Sequence, residues 1–388
     1  MTTLKTGPSE RPTRPTRRGT VRRRSEGIVL AIVLVLIFVL VTAVYGFQRR
    51  AIIDTSIATN RLRSAEAEAL ARGGLRIGEA IVFLSRLKDE AESAGATTKG
   101  LGSSSSDATS LLPTDEIWAA IGDFPLALED GRTLRITIED EGARLNLNSL
   151  VPQSSEQSAK VDEEAEEYLV RVLEYIIDGI DAPTQHKNYD ARSIADNLLD
   201  YMDEDEDPRN GGSESNYYRN QDPPYAPRNG PFLTLDEVGL VEGVDPQLLD
   251  AMRDYLTVHP IGGSQGINLN RAEPWVLSIV YAGTSGDRRL VREQTVRDIW
   301  ALREQSKILC NEASSDPGRC VSLAEVGNGA LAEGSIYPET VLPAIPSVFR
   351  VVAEAQVGNL TRRIEAIYDT RPTEGPQLLS WRRLRGPE

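Results

Sequence analysis

Histidine and cysteine are scarce: His186, His259, Cys310 and Cys320 are the whole supply. The histidines lie far apart with no cysteine beside either, which argues against a zinc site. No G-x-S-x-G, P-loop or H-E-x-x-H stretch occurs and no nucleophile–base pair stands out, so the chain reads as a non-enzyme rather than an exported hydrolase. Positive charge is outnumbered by negative charge beyond the first 26 residues. The chain carries −15 and those residues +6, which leaves −21 for the rest. A body so acidic repels phosphate backbones and suits cations or basic partners, so a membrane-tethered nucleic-acid receptor is the weaker alternative. Also missing is an A-x-A cut site directly after the apolar run that follows the basic residues, where Arg49 and Arg50 stand instead.

That run, residues 28–47, holds no charge and would span about 30 Å as a helix, one hydrocarbon thickness. The eight basic residues lie before it, which keeps that end in the cytoplasm and exports the acidic body. Helix formers continue past it at helical spacing, through Ile57, Leu62, Ala65, Ala69, Leu75 and Val82, with no proline. Gly73-Gly74 marks a point where this helix could bend. A basic leader ending in Gly27, then a membrane helix running on into an amphipathic one, resembles a type IV pilin precursor. The resemblance implies that a prepilin peptidase cuts between Gly27 and Ile28 and that the helix is retained, with methylation of the new end. Most mature pilins carry glutamate at the fifth position, where this chain has Ile32; Glu26 precedes the glycine. The K-type minor pseudopilins of type II secretion systems are similar in lacking that glutamate.

Alternating Leu134, Ile136 and Ile138 mark a strand within 133–148, and 348–356 and 360–369 read as two strands joined at Gly358-Asn359. Between them the pattern predicts helices at 162–180, 191–202, 234–257, 272–282 and 291–305. The expected fold class is α+β: a pilin-like fold with a long N-terminal transmembrane helix, a small antiparallel sheet and a large inserted α-helical domain of SAM or helix-hairpin-helix-like type. The expected boundaries are a leader at 1–27, the pilin helix at 28–95, the first part of the pilin-like domain at 96–150, the insertion at 151–340, closing strands at 341–370 and a basic tail at 371–388. The stretch after the helix, GATTKGLGSSSSDATS, has linker composition. Within the insertion LNLNSL at 145–150 is echoed by INLNRA at 267–272, and LTLDEVGLVEG at 233–243 by VSLAEVGNGA at 321–330, a diverged repeat. Thr234 and Ser322 are candidate N-caps, with Glu237 and Glu325 at the capping-box position. Trp118, Trp275 and Trp300 are candidate core anchors.

The densest chemistry lies in DYMDEDEDPRNGGSESNYYRNQDPPYAPRNGPF, residues 200–232. Asp203, Asp205, Asp207 and Glu214 fall at the first, third, fifth and twelfth positions of an EF-hand loop, but Pro208 stands where the sharp turn needs glycine, so a true EF-hand is rejected. Crowded carboxylates in a loop rich in Gly, Pro and Asn still favour a hard dication with oxygen ligands. Asn216 and Asp222 are lesser candidates, Asn220 could add an oxygen, and a solvated acidic surface is the alternative. Tyr201 followed by alternating acids, Gly211-Gly212, Glu214, Tyr217-Tyr218 and Pro224-Tyr225 resembles the acidic segment of the K-type minor pseudopilins. That resemblance implies calcium in the insertion. It also implies a role at the pseudopilus tip, initiating assembly and supporting export of folded proteins. The partners implied are other minor pseudopilins, the inner membrane, prepilin peptidase and secreted substrates, with no nucleic acid and with the body in the periplasm. Cys310 and Cys320 bracket the polar loop CNEASSDPGRC; an oxidising compartment would let them close a disulfide, and a cytosolic one would leave two thiols.

Overall fold

The computed structural model describes residues 23–93, 118–151, 163–180, 189–209, 211, 214–311, 320–327, 331, 335–342 and 344–384. The Gly/Ser linker, His186 and most of the leader lie outside the described residues. The chain divides into two compact units, Met1–Arg63 and Ser64–Glu388. Helix α1 is Arg23–Ser93. In the first unit its apolar side chains from Ile28 to Phe47 are exposed, as suits a segment whose solvent is lipid. Among the described residues this is the one helix long and apolar enough to cross a membrane.

In the second unit α1 packs on a five-stranded antiparallel sheet. Its strands are β1 (Leu126–Leu128), β2 (Arg132–Asp140), β10 (Val348–Val357), β11 (Leu360–Asp369) and β12 (Gln377–Leu384), in that spatial order. β2 and β10 are neighbours in register from Asp140↔Phe349 to Arg132↔Val357, so everything between them in sequence is inserted. One face of the sheet presents Leu134, Ile136, Ile138, Val351, Ala353, Ala355, Ile364 and Ala366 to Ala71, Leu75 and Val82 of α1. The period-2 alternation sends these residues to one side. The helix comes close because Gly74 and Gly78 have no Cβ: one at Gly78 would fall 2.4 Å from Val351 Cγ1, and one at Gly74 2.8 Å from Leu134 Cδ1. Helix α1 is continuous through Gly73-Gly74, where the sequence allowed a bend, and Gly74 permits the close approach to the sheet. The basic tail is also revised. Residues 377–384 extend the sheet as β12, where Arg382 Nε donates to Glu365 Oε1 at 2.6 Å and Arg383 Nη2 to Glu68 Oε1 at 2.6 Å.

The insertion has its own core. It holds α2 (Glu163–Asp178), α3 (Ala191–Met202), α4 (Glu214–Arg219), α5 (Pro246–Met252), α6 (Pro274–Leu277) and α7 (Glu293–Glu304). Short strands β3 (Leu145–Asn146), β4 (Leu256–Thr257), β5 (Tyr281–Ala282), β6 (Arg289–Leu290), β7 (Ile308–Cys310), β8 (Cys320–Ser322) and β9 (Ile336–Tyr337) tie these together. The helix expected over 234–257 is broken: a 3-10 turn at Leu235–Leu240, then Gly243 with φ +90°, then α5 with Asp245 as N-cap and Pro246 in its first turn. A positive φ and a proline are both helix boundaries. Pro274 likewise starts a helix of only four residues within 272–282. Thr234 makes no side-chain cap; Glu237 Oε2 instead accepts from Leu233 N at 2.7 Å. Trp118 is buried edge-on against Phe349, but Trp275 and Trp300 are exposed, Trp300 lying under the Arg303 guanidinium.

The repeat is visible in the hydrogen bonds. Asn146 Oδ1 accepts from Asn148 N and Asn268 Oδ1 from Asn270 N, the same local turn twice. Asn148 then bridges both backbone groups of Phe232, and Asn270 both backbone groups of Leu309. Each asparagine thus ties its turn to the segment leading to the second repeat element. The seam between sheet and insertion is ionic: buried Glu141 accepts from Arg350 Nε at 2.7 Å, from Arg144 Nη1 at 3.3 Å and from the Thr257 hydroxyl. Cys310 and Cys320 are joined in a disulfide, with Cα atoms 5.9 Å apart.

Candidate metal centre

The acidic loop begins at the C-terminal end of α3. Asp190 caps the other end of that helix, accepting from Arg192 N and Ser193 N. Ile194, Leu198, Leu199 and Met202 bury one face in the insertion core, and Tyr201 stacks on Phe232 with centroids 5.2 Å apart. The same turns carry Asp196, Asp200 and Asp203, all buried. A helix C-terminus is the negative end of the macrodipole, where carboxylates are disfavoured and cations favoured. Asp203 closes the helix, its N–H donating to Leu199 O at 2.9 Å.

Glu214 opens α4, which Tyr218 anchors: that ring is buried 5.7 Å from Tyr201 and 5.4 Å from Tyr225. The aromatic contacts therefore set the distance between the two acidic segments. One carboxylate oxygen each from Asp203, Asp205 and Glu214 lies within 4.8 Å of the others. Asp203 Oδ1 and both Glu214 oxygens are buried without a hydrogen-bond partner. A small cavity of about 40 Å³ adjoins them, lined in part by Asp200, Tyr201, Pro208, Glu214 and Tyr218.

Burial pushes the Glu214 carboxyl up to about 7, and Asp200, Asp203, Asp205 and Glu206 add to the push. Burial raises Asp203 as well, against the hydrogen bond from Arg209. Asp200 is raised by burial to about 6. Burial and mutual repulsion thus work against ionisation of Asp200, Asp203 and Glu214, whereas a dication would favour the ionised carboxylates and satisfy the bare oxygens. Three carboxylates whose oxygens lie this close fit an oxygen-seeking ion such as calcium.

Of the six residues expected from sequence, the structure brings three together. Asp207 is exposed outside the trio, its N–H donating to Asp205 Oδ1 at 2.9 Å. Asn216 is exposed on α4, its carbonyl accepting from Asn220 Nδ2. Asp222 is exposed before Pro223, to which it is joined by a cis peptide. The EF-hand spacing puts Asp207 with the others only if the loop turns at its sixth position, and Pro208 sends it elsewhere. Sequence reasoning missed Asp200 and Arg209. The signal was there: Asp196 and Asp200 lie one helical turn apart, and Arg209 is the one basic residue between Asp203 and Tyr218. His259 is buried with both ring nitrogens unpartnered, and no cysteine accompanies it.

A helix long and apolar enough to cross a membrane, an antiparallel sheet against its second half and a helical insertion with an acidic loop define an α+β, pilin-like protein. Residues 143–261, which contain that loop, match the family model of the type II secretion system (T2SS), protein K. Over those residues the chain is similar to that family. It is 24% identical over 343 residues to the type II secretion system protein K of Pseudomonas aeruginosa, covering 87% of each chain. It is 27% identical over 180 residues to a putative type II secretion system protein K of Escherichia coli K12, covering 45% of this chain and 52% of that one. Among solved structures it is similar to a chain of the GspK-GspI-GspJ complex from enterotoxigenic Escherichia coli, with 18% identity, a TM-score of 0.46, and coverage of 87% of this chain and all of that one.

Proposed function

We propose that this protein is a minor pseudopilin at the tip of a type II secretion pseudopilus, where it initiates assembly and supports export of folded proteins across the outer membrane. The observation that carries the reading is the family match over residues 143–261, which falls on the insertion that distinguishes this chain from a plain helix-and-sheet pilin. Ile32 supports the tip position: it offers no carboxylate to the N-terminal amine of a neighbour, so the subunit suits a place with none above it. In this reading prepilin peptidase cuts between Gly27 and Ile28, α1 sits in the inner membrane, and the body lies in the periplasm, where a disulfide between Cys310 and Cys320 persists. Calcium is held by Asp203, Asp205 and Glu214 and orders the loop; it takes part in no reaction. Other minor pseudopilins are the partners.

The test is co-expression with the other minor pseudopilins and prepilin peptidase, followed by extraction and pull-down. The tagged protein should bring down a stoichiometric minor-pseudopilin complex, and its N-terminus should be Ile28. A chain beginning at Met1, or beyond residue 47, or one that isolates alone, overturns the reading.

A further inference from the structure

Arg209 turns back onto α3 instead of reaching into solvent. Its Nη2 donates to Asp203 Oδ2 at 2.9 Å, its Nε lies 3.1 Å from Asp200 Oδ1, and its Nη1 lies 3.8 Å from Glu166 Oε2. The backbone N–H of the same residue donates to Asp200 Oδ2 at 3.1 Å. Asp203 thus faces two ways. It is only 1% exposed; Oδ2 is taken by the guanidinium, and Oδ1 is buried with no partner. Beyond it stand Asp205 and Glu214, and both Glu214 oxygens are also unpartnered.

From this geometry we propose that Arg209 is a tethered cation that fills the Asp200–Asp203 side of the acidic basin, so that the loop takes one divalent ion through Asp203, Asp205 and Glu214 and holds it less tightly than the carboxylates alone would. The proposal rests on the calcium reading above. A guanidinium presents its donors in a rigid fork suited to carboxylates, so it neutralises this side without being exchangeable. It then acts on the ion in two ways. It shares Asp203, withdrawing ligand charge, and its own positive charge repels a dication close by. In the absence of the ion it does the opposite service, keeping Asp200 and Asp203 at the end of α3 in spite of their mutual repulsion. The α3 end of the loop is therefore held without calcium, and the ion orders the rest by drawing Asp205 and Glu214 to Asp203.

The experiment is calcium titration by calorimetry on the detergent-solubilised full-length protein, with Arg209→Gln and Arg209→Lys alongside and thermal melts of each in EGTA. The wild type should bind one ion. Arg209→Gln should bind calcium roughly tenfold more tightly, the order expected for removing a unit charge beside a dication in a partly solvated site. Its midpoint in EGTA should fall below that of the wild type. Arg209→Lys keeps the charge and should stay near the wild-type affinity. Unchanged or weaker affinity in an Arg209→Gln protein whose circular dichroism in calcium matches the wild type overturns the proposal, as do two ions on the wild type; either leaves the calcium reading standing. No calcium uptake by the wild type removes both.

Discussion

Helix α1 meets the sheet through Ala71, Gly74 and Gly78, whereas the insertion closes around Tyr168, Tyr201, Tyr218 and Phe232. The first core also holds Trp118 and Phe349, but helix and sheet meet through small residues, with no room for a methyl group at Gly74 or Gly78. The second gains from area, since each aromatic side chain removes much more apolar surface from water. Its boundary is paved with carboxylates that the aromatic contacts hold together against their repulsion. A core of the first kind needs nothing but its own packing. One of the second kind can lend part of its stability to a site, and that is where the acidic loop hangs.

The largest effect should come from cutting the aromatic cluster. Phe232→Ala removes the ring under Tyr201 and should cost about 3–5 kcal/mol. Hydrogen exchange should show the loss in α2, α3 and the loop, with β2, β10 and β11 still protected. An even loss across both cores would mean that they do not differ as described.

The seam between the cores should answer to acid. Burial works to raise the Glu141 carboxyl, but Arg350 and Arg144 outweigh it and bring the folded pKa to about 2, below its ordinary 4.5. Folding then binds fewer protons than unfolding in that window. The stabilisation is full above about pH 4.5 and is lost as pH falls through about 2, to the extent of about 3 kcal/mol. Asp140 next to it has the opposite sign: burial holds it at about 6, so it costs stability as pH rises from 3.8 toward 6. Glu141→Gln should flatten the acid limb of a denaturation series run from pH 5 to pH 2. Superimposable limbs for wild type and variant would show that the seam ion pairs contribute nothing.

Calcium should separate the two cores next. An ion bound only to the folded state adds about 2.7 kcal/mol at a hundredfold excess over Kd. Melts in calcium and in EGTA should differ for the wild type and coincide for Asp203→Ala with Asp205→Ala. In EGTA, exchange should quicken in residues 200–232 and stay unchanged in β10 and β11. Identical wild-type midpoints with no ion bound would make the loop a solvated acidic surface.

The smallest effect belongs to the close-packed side. Gly78→Ala puts a methyl group on Val351 and should cost about 1–3 kcal/mol, with calcium affinity unaltered. A neutral result would show that α1 can move off the sheet freely.

What was readable in the sequence was periodic or covalent. The charge-free run at 28–47, the alternation at 133–140 and the paired strands around Gly358-Asn359 each depend on neighbours within a turn or a hairpin, so local pattern suffices. The crowding of acids in 200–214 was readable for the same reason. Strand β12 was obscured by its own charges: Arg382 and Arg383 look like a solvated tail until Glu365 and Glu68, distant in sequence, stand beside them. Thr234 misled because its segment turns as a 3-10 helix. Which acids share a site was decided by tertiary structure alone. Asp203 and Glu214 meet because Tyr201 and Tyr218 pack in one core, and Asp207 departs because Pro208 bars the turn that would bring it in. Sequence spacing fixes how far apart two ligands can be along the chain; their distance through space depends on the packing of residues that are not ligands.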